Sequence, residues 1–280
     1  MANRRVMTEE KIRQLQKEGR GKGTLDQYLP WILANEFSSK GNTHRIFGHK
    51  TGRVHDLFSN VERNLFMLLE FTPDVIDIRE QYPLTREDTV SLAAEMGIKH
   101  PTYPQTKIPT VMTCDFLVTR LRNDKETIEA FNCKRAEDAN DLRAIEKLEI
   151  QRRYFNGCGI AHHLVFHSML PENKIKNIKW IRSAVIKPGE IEPYPNYFKE
   201  HCSRFSYELS RTSSSLSLAA YCQNYDERTG AQLGTGLRVI RMLLLSQEIV
   251  TNMTEPDLPN APIGIFIRRG RNELRSVGGN

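Results

Sequence analysis

With 280 residues, 39% of them hydrophobic, the chain can bury one large core or two modest ones, which excludes a disordered polymer. Its net charge of +6 suits a polyanionic partner such as nucleic acid without proving one. No apolar run approaches the roughly 20 residues that span a bilayer, and Met1 to Arg5 lacks the apolar stretch of a signal peptide, so a cytoplasmic protein with no membrane contact is expected.

Thr8 to Gly19 reads as a short charged helix, capped by Thr8 with Glu10 just inside. It runs into the basic stretch Gly19 to Gly23, which is either a solvated linker or a phosphate contact through Arg20 and Lys22. Arg45 to Val54 reads as two short extended pieces around a glycine-containing turn, and Gly48 to Thr51 lacks the spacing of a phosphate-binding loop. A helix from about Leu57 to Phe71 follows. In it Phe58, Val61, Leu65, Leu68 and Leu69 form an apolar stripe at helical spacing, and Glu62 falls inside that stripe. A buried carboxylate is costly unless it is paired or holds a metal. Glu62 therefore has two readings, a salt bridge to an arginine such as Arg79 or a functional acid.

Val75 to Leu84 reads as a strand ended by proline, with Asp77, Arg79 and Gln81 on one side. After a short helix at about Glu87 to Met96 comes Val111 to Val118, an almost wholly apolar strand that carries one acid, Asp115. Such runs lie in the middle of sheets, buried on both faces. The polar turn Arg122 to Lys125 leads into a strand at about Thr127 to Lys134, forming a hairpin with the Asp115 strand. Alternation puts Asn132 and Lys134 on one face, Phe131 and Cys133 on the other. A helix from about Asp138 to Phe155 carries Glu146 and Glu149, read as partners for Arg143, Lys147, Arg152 or Arg153 more readily than as metal ligands. Ile160 to Phe166 is one more strand.

Helix, strand, acid-bearing strand, lysine-bearing strand, helix, strand is the order of a restriction-endonuclease-like core, a mixed sheet flanked by helices. Two carboxylates and a lysine are also the residue types that metal-dependent phosphodiester cleavage requires. Five widely spaced cysteines (Cys114, Cys133, Cys158, Cys202, Cys222) form no Cys-x-x-Cys pair, so neither disulfides nor a thiolate zinc site is indicated. His162, His163 and His167 lie close together without a cysteine or carboxylate at a supporting spacing, so no zinc site is expected there either.

Longer words are more specific than three letters. His44-Arg45-Ile46, His49 to His55, Asp77 to Leu84, Gly97 to Pro101, Asp115 to Val118, Glu146 to Glu149 and Arg152-Arg153-Tyr154 together resemble the TnsA family, endonuclease subunits of heteromeric, Tn-seven-like transposases. The resemblance covers roughly Arg20 to Leu170. It implies Glu62, Asp115 and Lys134 as the catalytic residues, with Glu62 and Asp115 holding Mg²⁺, for which Mn²⁺ can substitute. Further oxygen would come from Asn132, which falls where the family often has glutamine, and from the main-chain carbonyl of Cys133. It also implies cleavage of the 5′ strands at transposon ends, beside a DDE transposase of the TnsB kind and an AAA+ ATPase regulator of the TnsC kind. Arg20, Lys22, Lys50 and Arg53 are the candidate DNA contacts, and Glu80 and Gln81, with Glu146 and Glu149, the candidate supporting residues. A stand-alone nuclease of the same fold, or an inactive DNA-binding or assembly adaptor, are the alternatives.

The catalytic domain is expected to span residues 1–170 and a smaller domain 171–280. In the latter, helices at about Ile175 to Val185, Tyr197 to Ser210, Ser214 to Tyr225 and Gly234 to Ser246 precede strands at Ile249 to Thr251 and Ile263 to Arg269. This pattern suggests a winged helix that offers Arg238 and Arg241 to DNA, or else a module that docks protein, toward which the resemblance tilts. The tail Arg268 to Asn280 reads as flexible and basic.

Overall fold

The computed structural model describes residues 6–34, 42–135, 140–187, 189–211 and 214–270. The chain divides into two compact units, Met1–Leu170 and Pro171–Asn280.

In the first unit, α1 (Glu9–Lys17) is capped by the Thr8 hydroxyl, which accepts the Lys11 N–H at 3.1 Å. Its apolar side, Ile12 and Leu15, packs on Trp31 and Val111. Strands β1 (His44–Gly48) and β2 (Arg53–Leu57) form a two-stranded antiparallel sheet of their own. Helix α2 (Asn60–Phe71) begins later than its apolar stripe suggests, because β2 runs through Leu57 and Ser59 supplies the cap.

The main sheet has the order β3 (Val75–Pro83), β4 (Thr113–Arg122), β5 (Lys125–Lys134), β6 (Ala161–Phe166). Its first two pairings are antiparallel and the last is parallel. A parallel pair needs a crossover, supplied by α4 (Leu142–Gly157), against which α3 (Arg86–Glu95) packs. β4 is central, and Cys114, Phe116, Leu117 and Val118 are all buried. It extends past the expected Val118 because Asn123 and Asp124 adopt φ of +49° and +58°, a turn that keeps both strands paired down to Arg122↔Lys125. With α2 lying against β3 and β5, the result is the mixed α/β core expected of a restriction-endonuclease-like protein.

A fully buried acid braces this core next to β4. Glu80, which faces Phe116 in the sheet register, accepts from Arg53 Nη1 and Nη2 at 2.7 and 2.6 Å and from His55 Nδ1 at 2.8 Å. Thr51 Oγ1 lies 2.6 Å from the other imidazole nitrogen, and Arg53 sits over the Tyr28 ring at 5.0 Å. Burial would push Glu80 up, but its bonds to Arg53 and His55 outweigh burial and hold it at about 2.

In the second unit, α5 (Glu172–Arg182), α6 (Tyr197–Leu209) and α7 (Leu218–Thr229) surround α8 (Thr235–Leu245), whose Val239, Ile240, Leu243 and Leu244 are buried. Asp226 caps α8 by accepting the Gly234 and Gly236 N–H groups, both at 2.7 Å. β7 (Ile249–Val250) and β8 (Ile267–Arg268) pair over two residues only, since Ile263–Ile265 is a 3₁₀ turn rather than the start of a strand. The arginines expected to be free for DNA are engaged inside this unit. Arg238 is paired with Glu190 and lies 4.3 Å from the Phe198 ring centre, and Arg241 donates to the Trp180 carbonyl while covering its ring. From residue 271 onward the basic tail lies outside the described residues.

Glu80→Gln leaves the Arg53 guanidinium buried without its counter-charge, which costs about 3–5 kcal/mol of stability. Urea unfolding at pH 7 checks this, and a loss below about 1 kcal/mol would contradict the role of the cluster. Because its folded pKa lies below the usual 4.5, Glu80 stabilises the fold above pH 4.5, and that contribution disappears as pH falls toward about 2.

Candidate active site

The site forms at the end of the β4–β5 hairpin opposite its turn, where the N-terminus of β4, the C-terminus of β5 and the first turn of α2 meet. The ladder between β4 and β5 runs from the turn to Phe116↔Phe131. Beyond it the Asp115 carboxylate takes the place of a backbone acceptor, receiving the Cys133 N–H at 2.6 Å. β5 at this point pairs with β6 instead, through Cys133↔Val165 and Lys134↔Phe166.

On its other side Asp115 meets a distortion in β3. Between the pairs Glu80↔Phe116 and Tyr82↔Cys114, Gln81 adopts φ of +48°. A left-handed glutamine inside a strand costs about 1–3 kcal/mol and persists only when its surroundings hold it. Here they do. The Gln81 carbonyl accepts from Trp31 N at 3.3 Å, its side-chain oxygen accepts from Thr113 Oγ1 at 3.1 Å, and its amide hydrogen-bonds to Asp115.

Glu62 is buried at the third position of α2. Its main-chain N–H donates to Ser59 Oγ at 3.1 Å, while its carboxylate accepts from the Ser59 hydroxyl at 2.8 Å and from Phe58 N at 3.0 Å. This resembles a capping box, except that the Glu62 carboxylate reaches the Phe58 N–H rather than that of the N-cap Ser59, and Ser59-x-x-Glu62 is its sequence signal. Arg79, the expected salt-bridge partner, instead contacts Asp77 at 3.4 Å and Thr119 at 3.0 Å.

The cap does not explain the charge pattern. Burial and then repulsion from Asp115 push Glu62 up to about 8, against the pull of its two hydrogen bonds and of Lys134. Burial likewise raises Asp115, opposed by Lys134 and by bonds from Cys133, Gln81 and Asn132. Two carboxylates and one ammonium group, Glu62, Asp115 and Lys134, are thus close enough for their charges to influence one another.

Asn132 is buried, and its side-chain oxygen lies 2.7 Å from His162 Nε2. That oxygen can only accept, so the imidazole is the donor and the Asn132 amide hydrogens face Asp115. The amide oxygen expected as a metal ligand is therefore turned away from the acids. His162 is pushed down to about 4, by burial first and then by His163 and Arg152, and is neutral at pH 7. Cys133 contributes its N–H, and burial pushes its thiol up, so the sulfur stays protonated.

Other expected residues lie in different settings. Glu80 belongs to the Arg53–His55 cluster. Glu146 pairs with Arg143 at 2.5 Å, and Glu149 with Arg152 at 2.7 Å and Arg153 at 3.3 Å. Of the basic residues offered to DNA, Arg20 is buried and donates to the Trp31 carbonyl at 3.3 Å. Lys50 donates to the carbonyls of Thr72 at 2.8 Å and Val75 at 2.5 Å, and Arg53 holds Glu80. A cationic side chain is the cheapest partner for buried carbonyls and carboxylates, which is why these three point inward. Lys22 is exposed.

The donor set fits a hard divalent cation. Among the described residues no group of three His, Cys, Asp or Glu side chains gathers as a metal cluster. Two carboxylates are nonetheless what Mg²⁺ commonly takes from a protein, completing its octahedron with water and substrate phosphate.

The sequence is similar to a known protein along almost the whole chain. A family model described as "TnsA-like endonuclease N terminal" matches residues 72–167, and one described as "TnsA endonuclease C terminal" matches residues 170–253. Asp115 and Lys134 fall inside the first, and Glu62 lies before it. The chain is 34% identical over 263 residues to "Transposon Tn7 transposition protein TnsA" of Escherichia coli, covering 93% of each. The chain belongs to the TnsA family of endonucleases.

Proposed function

We propose that the chain is the nuclease that severs the 5′ strands at transposon ends in a Mg²⁺-dependent reaction, in the cytoplasm, for which Mn²⁺ can substitute. The observation that carries this reading is the electrostatic coupling of Glu62, Asp115 and Lys134 at one end of the sheet. Glu62 and Asp115 would hold the cation, each keeping lone pairs beyond those its hydrogen bonds use. When bound there, a divalent cation supplies Lewis-acid polarisation of the phosphodiester. Lys134 orients the attacking water and offsets charge on the phosphorane as it forms. Gln81, Asn132 and the Cys133 N–H fix the Asp115 carboxylate, so that little reorganisation is left for the reaction itself.

The partners proposed are a DDE transposase of the TnsB kind, which cuts and joins the other strand, and an AAA+ ATPase of the TnsC kind. The second unit fits protein docking better than DNA reading, because Arg238 and Arg241 are engaged with Glu190, Phe198 and Trp180. Lys22 is left as the exposed candidate for phosphate contact. Among the described residues no helix is long and apolar enough to cross a membrane.

Asp115→Ala and Lys134→Ala each lower 5′-strand cleavage of end-labelled transposon DNA by at least about 10³-fold, while leaving assembly with the transposase unchanged. Cutting by the isolated chain would favour a stand-alone nuclease. An intact 5′ strand in the complete assembly, with Asp115→Ala altering assembly alone, would establish an adaptor instead.

Glu62 also predicts a pH dependence. Its folded pKa lies above the unfolded one, so between pH 4.5 and about 8 the folded chain binds more protons, and the cation-free protein loses stability as pH rises through that window. Mn²⁺ reverses the loss by favouring the ionised carboxylates. Thermal melts from pH 5 to 9 with and without Mn²⁺ check this. A profile that is unchanged in Glu62→Gln would contradict it.

A further inference from the structure

We propose that His162 is a positioning residue of this nuclease site, holding Asn132 so that its amide N–H groups, rather than its oxygen, meet Asp115. The inference rests on the reading of Glu62, Asp115 and Lys134 given above.

The parallel register between β5 and β6 pairs Ala130 with His162 and Asn132 with Leu164. Partners in register project to the same face, so His162 stands one pleat behind Asn132 and within reach of it. The distance from His162 Nε2 to Asn132 Oδ1 is 2.7 Å. The imidazole is fixed from its flank by the buried ring of Phe155, stacked at 5.4 Å between centroids with 30° between planes.

An asparagine amide is nearly symmetrical in shape and opposite in polarity at its two ends. Turned by half a revolution, Asn132 would set its oxygen against the Asp115 carboxylate, lone pair to lone pair. The histidine makes that turn unfavourable twice over, since its own N–H would lose an acceptor and face an NH₂ group. In this arrangement Asn132, which lies just beyond the Phe116↔Phe131 pair on β5 as Asp115 does on β4, lowers the proton affinity of the Asp115 carboxylate. Three residues on three adjacent strands thereby form a chain, His162 on β6 to Asn132 on β5 to Asp115 on β4. His162 touches neither acid nor substrate in this scheme and acts only through the amide.

The test is a double-mutant cycle on the full chain, assembled with its transposase and ATPase, with single-turnover 5′-strand cleavage as the readout. His162→Ala slows cleavage about 10-fold, the scale of one buried hydrogen bond. Asn132→Ala slows it at least as much, and the double variant cuts no more slowly than Asn132→Ala alone, because the histidine has nothing left to orient. His162→Gln, which keeps an N–H donor, recovers part of the rate and serves if the alanine variant does not fold. The Mn²⁺ concentration giving half-maximal rate rises in His162→Ala while its melting temperature stays within a few degrees, a change that a merely structural residue would not produce.

Independent effects that multiply in the double variant, or wild-type rate and Mn²⁺ dependence in His162→Ala, overturn the proposal alone. Failure of the unaltered assembly to cut the 5′ strand under any divalent cation overturns the nuclease reading and takes this proposal with it.

Discussion

The repulsion between Glu62 and Asp115 is the interaction around which the site is arranged. Two buried carboxylates, one of which raises the proton affinity of the other, are a liability to a fold. Lys134 offsets only part of that cost, because burial leaves both acids raised and Asp115 raises Glu62 further. A doubly charged cation would remove the remainder, which is the chemical purpose proposed for the arrangement.

Each acid is anchored by backbone that would otherwise be spent on secondary structure. Glu62 is tied to the cap of α2 through Ser59 and Phe58, which keeps its carboxylate at the helix start. Asp115 intercepts the N–H of Cys133 where β4 and β5 part, and the left-handed Gln81 reaches it from β3. The strain at Gln81 is stored beside the Asp115 carboxylate, in a geometry held by the surrounding fold. One residue away, the Glu80–Arg53–His55 cluster pins the same strand to β2.

Much of this was legible in sequence because burial leaves a mark in composition. Asp115 stands out as the lone acid in an apolar strand, and alternation alone places Lys134 and Asn132 on one face of the next. Glu62 was legible as an anomaly, yet its cap was written as Ser59-x-x-Glu62 and its supposed partner Arg79 is spent on Asp77 and Thr119. The left-handed conformation of Gln81 was not legible, since glutamine has no preference for positive φ and its surroundings, such as the Trp31 N–H, hold it there. Nor was His162, whose meaning depends on which strand lies beside β6. Basic residues misled for a related reason. Charge is visible in a sequence but its direction is not, and Arg20, Lys50, Arg53, Arg238 and Arg241 all turn toward carbonyls, carboxylates or rings of the interior.

The most direct measurement is calorimetric titration of Mn²⁺ into the full chain at pH 7, repeated in two buffers of different ionisation heat so that protons can be counted. With Glu62 pushed up to about 8, the cation must displace its proton on binding, so the account predicts release of on the order of one proton per site, abolished in Glu62→Gln. Binding with no proton release, or binding unaffected by loss of Glu62, would contradict it.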